Sequence, residues 1–333
     1  MSFHQIIQDI EKRAFSPIYF LEGEESYYID EITNKLEQEI LQEEEKAFNQ
    51  TILYGKDTDV NEIMMAAKRY PMMSEHQVVI VKEAQNIRNI ETLEKYCKNP
   101  LKSTILVVNY RYKTIDKRKS LAKSIKKNGV LFEAKKPYES EIPSWINNRV
   151  KALGYTIDPK ASMLLSESIG NNLKQLSNDI EKLTIGIQAG EKITLEHVEK
   201  NIGISKEFNS FELQDAIGAK DVVKANLIVN HMDGNPKQYP LAANIAVLYN
   251  FFKKMLMLHY SKARTKEELA RFMGIHPYFM TSYNKAARNY NIRSVVAVIG
   301  LLREYDRYSK GGTSTNIKDG DLLRELVYKI MHI

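Results

Sequence analysis

Ser16-Pro-Ile-Tyr-Phe-Leu-Glu-Gly-Glu-Glu-Ser-Tyr-Tyr-Ile-Asp-Glu31 is the stretch from which the fold is read. An apolar run at 17–21 stops at a glycine, and a long acidic helix-like segment, 27–45, takes over. Four more such runs follow at 50–54, 77–81, 104–108 and 129–132, rich in Val, Ile, Leu, Phe and Tyr. Each run is nearly continuous rather than alternating. A strand wetted on one face alternates apolar and polar residues, whereas a strand covered on both faces does not. Helix-like segments at 61–69, 89–98 and 117–127 separate the later runs, and Asp59 with Glu62 has the spacing of a helix-start cap. Strands alternating with helices predict a parallel sheet with helices on both sides.

After Pro137 the strand signal ends, and helices are expected at 141–153, 158–168, 173–188 and 194–201. Longer amphipathic helices follow at 238–259, 277–289 and 292–310, the last stopped by Gly311-Gly312, with a final helix from Asp319. The expected architecture is therefore an α/β domain at 1–138, a small helical domain at 139–207 and a larger helical domain at 208–333. A chain of 333 residues suits two or three cores.

Hydrophobic residues make up 43% and charged residues 27%, the balance of an ordinary globular protein. The longest apolar stretch, 245–258, is interrupted by Asn250, Lys253 and Lys254, so no membrane span is expected. The amino terminus has neither the basic start nor the apolar run of a signal peptide. One cysteine, Cys97, excludes an internal disulfide and a cysteine-based zinc cluster. A cytoplasmic location is expected. Net charge is +6, and its surplus lies at the end of the chain: residues 211–333 hold 18 Lys/Arg against 11 Asp/Glu. That excess suits either a solvated helical surface or a face turned to nucleic acid.

An α/β domain followed by a small helical domain is the layout of AAA+ ATPases, so the phosphate apparatus decides the chemistry. A phosphate loop needs glycines that free backbone N–H groups, a Lys for the β/γ oxygens and a Ser/Thr for magnesium. After the first run this chain has Glu22-Gly-Glu-Glu-Ser-Tyr-Tyr28, with one glycine, no lysine and three carboxylates. The third run ends Val81-Lys-Glu83, a cation where a Walker-B strand ends in Asp. No His-x-x-x-His pair and no Gly-x-Ser-x-Gly elbow occurs. No cofactor, no metal and no intrinsic catalysis are expected.

The opening stretch from Ser16 to Glu31 resembles the start of the delta-subunit family of the bacterial DNA polymerase III clamp loader. Pro71-Met-Met-Ser-Glu-His-Gln-Val-Val-Ile-Val81 is similar to that family's clamp-contact element and the strand after it. Asp116-Lys-Arg-Lys119 with Lys123, then Gly129-Val, looks like its basic segment. The likeness continues through Gly170-Asn-Asn-Leu-Lys-Gln-Leu-Ser-Asn-Asp-Ile-Glu-Lys-Leu183, Ile193-Thr-Leu-Glu-His-Val198 and Phe211-Glu-Leu-Gln-Asp-Ala-Ile217. Met273-Gly-Ile-His-Pro-Tyr-Phe-Met280 and Ala286-Ala-Arg288 complete it. The pieces are weak singly and strong in their common order along the chain. The resemblance implies an AAA+-like first domain without nucleotide, a lid-like helical domain and a helical collar. It implies a subunit that grips the sliding clamp and favours an opened ring, beside gamma/tau and delta prime type subunits, with DNA inside the assembled complex.

Under that resemblance Pro71, Met72 and Met73 are the expected clamp-binding residues. Pro71 ends a capped helix, and two flexible thioether side chains at a turn suit an apolar pocket on a partner. The family often carries Leu or Phe here. Without the resemblance, the same pair reads as packing beneath the third strand. Lys117, Arg118, Lys119 and Lys123 are the expected DNA or partner contacts, with Lys119, Lys123, Lys126 and Lys127 on one side of a helix. A solvated stripe is the alternative. Aromatics between Tyr249 and Tyr308 read as core and subunit interface rather than as a stacking platform for single strands. Two other functions stay open on sequence alone: an active AAA+ ATPase with a degenerate loop, distinguished by micromolar ATP binding, and a stand-alone nucleic-acid-binding protein, distinguished by tight DNA binding of the isolated chain.

Overall fold

The structure is a computed structural model that describes residues 1–333 except 189, 204, 206, 262–264 and 312–316. It divides into two compact units, Met1–Tyr138 and Glu139–Ile333.

The first unit runs α1 (Phe3–Glu11), β1 (Ile18–Gly23), α2 (Ser26–Glu39), α3 (Glu43–Asn49), β2 (Gln50–Tyr54), α4 (Val60–Ala67) and β3 (Gln77–Lys82). It continues through α5 (Glu94–Cys97), β4 (Thr104–Arg111), α6 (Ser120–Asn128) and β5 (Val130–Ala134). All five strands are parallel, in the order β2-β3-β4-β1-β5. Strand β1 lies between β4 and β5, with Phe20 opposite Val108 on one side and Leu131 on the other, and all six of its residues are buried. Successive residues feed opposite cores. Phe20, Val79, Val81 and Leu106 pack on one face of the sheet, while Tyr19, Leu21, Ile80 and Val107 pack on the other. This double burial is why the runs read as continuous, at about 1.5–3 kcal/mol for each large side chain removed from water.

Three helix expectations in this unit need correction. The segment 27–45 is two helices, α2 and α3, broken where Ile40 and Leu41 turn into the core. Arg13 secures the break by donating to the carbonyls of Glu39 and Ile40 at 3.0 and 3.3 Å. The segment 89–98 is a 3-10 turn, Ile90–Leu93, followed by the short α5. The segment 117–127 begins its helix only at Ser120, so Lys117 and Arg118 lie in the preceding turn and Lys119 is the N-cap of α6.

The second unit is helical: α7 (Ile142–Ala152), α8 (Pro159–Ile169), α9 (Leu173–Ile185), α10 (Leu195–Ile202), α11 (Ser210–Gly218) and α12 (Val222–Asp233). It ends with α13 (Leu241–Tyr260), α14 (Lys266–Met273), α15 (Met280–Asn289), α16 (Ile292–Ser309) and α17 (Asp319–Met331). Contrary to expectation, strand pairing does not end at Pro137. Thr156–Ile157 and Lys192–Ile193 form a two-residue parallel ladder, β6 and β7. Gly311 follows α16 with φ +84°, a conformation glycine adopts without strain, and Gly312 lies outside the described residues.

Helix α13 covers the stretch on which the membrane expectation rests. At 20 residues it is, by length and composition, long and apolar enough to cross a membrane. Its Leu241, Ile245, Leu248, Phe251, Phe252 and Met255 are buried in the main core of this unit, beside Tyr290, Leu302 and Leu326. Asn244 lies on the same buried face, and its amide donates to the carbonyls of Tyr239 and Pro240 while its oxygen accepts from Ser210. That is the pattern of a helix packed into protein. The fold class is the expected one in its parallel α/β domain followed by helices.

Candidate functional site

Two places on the first unit carry the functional question: the end of β1, where a phosphate loop belongs in an ATPase, and the connection from α4 to β3.

At the end of β1 three of the backbone donors that would face a phosphate, those of Gly23, Glu25 and Tyr27, are engaged within the fold. Gly23 N–H donates to Lys113 O at 3.1 Å, and Glu25 N–H donates to Ala134 O at 3.0 Å. Tyr27 N–H donates to the Glu25 carboxylate at 3.1 Å, so Glu25 caps α2 with its own side chain. Gly23 has φ +119°, and a Cβ there would stand 2.4 Å from Ala134 O, so the glycine serves a close strand approach and not a ligand. Glu22 is fully buried. Its Oε2 accepts Ile115 N–H at 2.8 Å, and its Oε1 has no hydrogen-bond partner among the described residues. Burial pushes the Glu22 carboxyl above the usual range, against the pull of that hydrogen bond and of Lys117. At the end of β3, Lys82 pairs with Glu37 on α2 at 3.8 Å.

The connection from α4 to β3 is different in character. Asp59 caps α4 by accepting Glu62 N–H at 2.9 Å, while the Glu62 carboxylate accepts from Thr58 instead of closing the box. The helix ends before Lys68, and Tyr70, Met72 and Met73 then stand outward. Met72 is 61% exposed, and Met73 is as exposed as in an open chain. Pro71 is half-buried. Met73 has φ +52°, a left-handed conformation that an unbranched non-glycine residue holds only at a cost.

The backbone beneath these side chains is anchored. Asn49, at the end of α3 and 2% exposed, accepts Met72 N–H on Oδ1 at 2.7 Å. It donates from Nδ2 to Met72 O at 2.9 Å and to Glu45 O at 3.2 Å. Gln77 donates to Ala66 O at 3.1 Å, and the His76 ring meets Phe15 edge-on at 5.9 Å. The result is a fixed loop that presents two thioethers to solvent.

The basic run is brought only partly together. Lys117 pairs with Glu133, Arg118 with Asp116 at 2.9 Å, and Lys119 with Glu91 at 2.7 Å. Hydrogen bonding to Lys119 holds the Glu91 carboxyl below its usual range, and Lys117 does the same to Glu133. Lys123 is exposed on α6 and has no carboxylate partner among the described residues. Of the late aromatics, Phe251, Phe252, Tyr283, Tyr290 and Tyr305 are core, whereas Tyr260 and Tyr278 are exposed.

Comparison with known proteins bears on both places. The family model for the DNA polymerase III delta subunit matches residues 19–135, which takes in the end of β1, the loop from α4 to β3 and the basic run. The DNA polymerase III subunit delta of Bacillus subtilis (strain 168) is 26% identical over 332 residues, covering 96% of this chain and 94% of that one. The chain is similar to DNA polymerase III delta subunits over nearly its whole length. A probable DNA polymerase III subunit delta of Aquifex aeolicus (strain VF5) is 24% identical over 65% of the chain and 63% of its own length. The solved Bacillus subtilis DNA clamp loader delta protein superposes with a TM-score of 0.55 at 25% identity, over the whole of both chains.

Two residues matter that the sequence did not single out. In the sequence Glu22 counts only as one of three carboxylates after the first run, yet by accepting Ile115 N–H it closes the end of β1. Asn49 gave no signal at all, because an asparagine between a helix and a strand does not reveal a partner 23 residues away.

Proposed function

We propose that this chain is the clamp-gripping subunit of its loader: it binds the ring-shaped DNA sliding clamp through Met72 and Met73, with Pro71 setting the turn, and favours the opened ring. The observation that carries the reading is the pairing of exposed apolar side chains with a backbone locked from beneath. An apolar pair left in water on a rigid loop suits an anchor for a partner's pocket. Burying both would contribute about 3–6 kcal/mol, enough to dominate an interface of ordinary size.

The body behind the tip serves as scaffold. It binds no nucleotide and has no catalysis of its own, a reading supported by the engaged N–H groups of Gly23, Glu25 and Tyr27 and by Lys82 facing Glu37. ATP is handled by gamma/tau type neighbours, beside a delta prime type subunit, with DNA inside the assembled complex in the cytoplasm. The three divisions 1–138, 139–207 and 208–333 act as grip domain, lid-like domain and collar. Among Lys117, Arg118, Lys119 and Lys123, the DNA or partner contact rests chiefly on Lys123, since the other three already hold carboxylates.

The test mixes the purified chain with its sliding clamp in the absence of nucleotide and follows the complex by size-exclusion chromatography. Co-elution is expected. Separate elution at concentrations of about 10 μM each would remove the reading.

A further inference from the structure

We propose that Asn49 is the positioning residue of the tip, a buried carboxamide whose role is to hold the backbone of Met72 so that the two thioethers meet the clamp already aimed. The inference rests on the clamp-gripping reading above and adds to it a residue that does not itself touch the partner. Asn49 lies at the junction of α3 and β2 and is almost fully buried. A carboxamide has two acceptor sites and two donors. Here the oxygen takes Met72 N–H, and the nitrogen gives to both Met72 O and Glu45 O. One side chain thus satisfies both backbone groups of a single loop residue, as a neighbouring strand would.

The residue so held is not part of a core. Met72 and Met73 have their side chains in solvent, so no packing of their own orders this stretch. A binding element that is loose in the free protein must be ordered at the moment of binding, and its affinity falls with the fraction of time it is competent. Asn49 supplies that order beforehand. The platform it stands on is itself braced: the Glu45 carboxylate accepts Gln42 N–H at 2.8 Å at the start of α3 and is held below its usual range by that bond and by Ser74, within the same loop.

The test is a calorimetric titration of the full chain with the purified clamp, using Asn49→Ala and the near-isosteric Asn49→Asp, which keeps the acceptor for Met72 N–H but loses the donor for Met72 O. Both are expected to weaken binding about tenfold or more. In a Met72→Ala/Met73→Ala background, Asn49→Ala should cost less than about threefold, because the side chains being aimed are gone. A merely structural role would weaken binding equally in both backgrounds, and that result would overturn the proposal. So would wild-type affinity in Asn49→Ala alongside lost affinity in Met72→Ser/Met73→Ser. Wild-type affinity in the double serine chain would instead remove the clamp-gripping reading, and this proposal with it. Should the Asn49 variants fail to fold, hydrogen exchange on the wild-type chain decides: the Met72 amide is expected to exchange at least about a hundredfold slower than an open-chain amide. Open-chain exchange at Met72 would overturn the assignment.

Discussion

The carboxylate of Glu22 accepts the backbone N–H of Ile115 at 2.8 Å, across 93 residues of sequence, and thereby ties the end of β1 to the turn after β4. In a nucleotide-binding domain of this layout the end of β1 opens onto phosphate. Here it is closed by a side chain from the strand itself, and Gly23 lies against β5 with no room for a Cβ. Titration with magnesium and ATP is accordingly expected to give no binding up to about 1 mM, where a micromolar dissociation constant would restore an ATPase reading.

Glu22 also makes a stability prediction. Burial raises its carboxyl above the ordinary glutamate range. A carboxyl that holds its proton more tightly folded than unfolded stabilises the fold only while protonated. Its contribution is present below the unfolded value and is lost as pH rises through the raised folded one. Glu22→Gln keeps an acceptor for Ile115 N–H without the charge. The variant should melt higher than wild type at pH 7, with the difference vanishing below about pH 4. A melting curve independent of this substitution at every pH would contradict the account.

Met73→Gly separates the fold from the grip. Its φ of +52° costs an ordinary residue about 1 kcal/mol or more, which glycine avoids, while glycine's freer unfolded chain costs a similar amount. Denaturant unfolding should therefore shift by less than about 1 kcal/mol, yet clamp affinity should fall with the loss of the thioether. Equal losses in stability and affinity would mean that Met73 packs into the fold.

Lys123 and Lys119 are expected to behave differently although they sit one helical turn apart. Lys119 already serves Glu91 at 2.7 Å; Lys123 has no carboxylate partner among the described residues. Lys123→Glu should lower DNA binding by the assembled loader and flatten its salt dependence by about one unit of slope, while Lys119→Gln should change it little. The same slope in both variants and wild type would leave the run as a solvated stripe.

In the second unit, Lys220 lies 4.2 Å over the Tyr290 ring and donates to Met331 O at 2.9 Å, while Tyr290 Oη donates to Ile217 O at 3.1 Å. This clip holds the end of α17 against α11. Tyr290→Phe removes one of two donors to the Ile217 carbonyl, which keeps Lys220 N–H at 3.0 Å, and should destabilise the chain by about 1 kcal/mol, with clamp binding unchanged. An unaltered denaturation midpoint would show that the hydroxyl contributes nothing.

The strands were legible because burial on both faces writes itself as continuous apolar runs, and the tip was legible because Pro71 follows a capped helix. The break between α2 and α3 was not. Glu43, Glu44 and Glu45 carry the helical composition straight through it, and the turn is imposed by the burial of Ile40 and Leu41 and by Arg13 from the previous connection. The pairing of Lys117 and Lys119 was equally hidden, since Glu133 and Glu91 lie 16 and 28 residues away. Helical spacing places cations on one face of a helix and says nothing of the carboxylates that other elements bring to meet them.

The claim that everything else depends on is that Met72 and Met73 are a handle and not a lining. Titrating the purified sliding clamp with wild-type chain and with Met72→Ser/Met73→Ser tests it most directly, provided both unfold at the same denaturant concentration. Loss of about 3 kcal/mol or more of binding free energy, a factor of at least about 150 in affinity, is expected for the double variant. Equal affinity for the two chains would contradict the account.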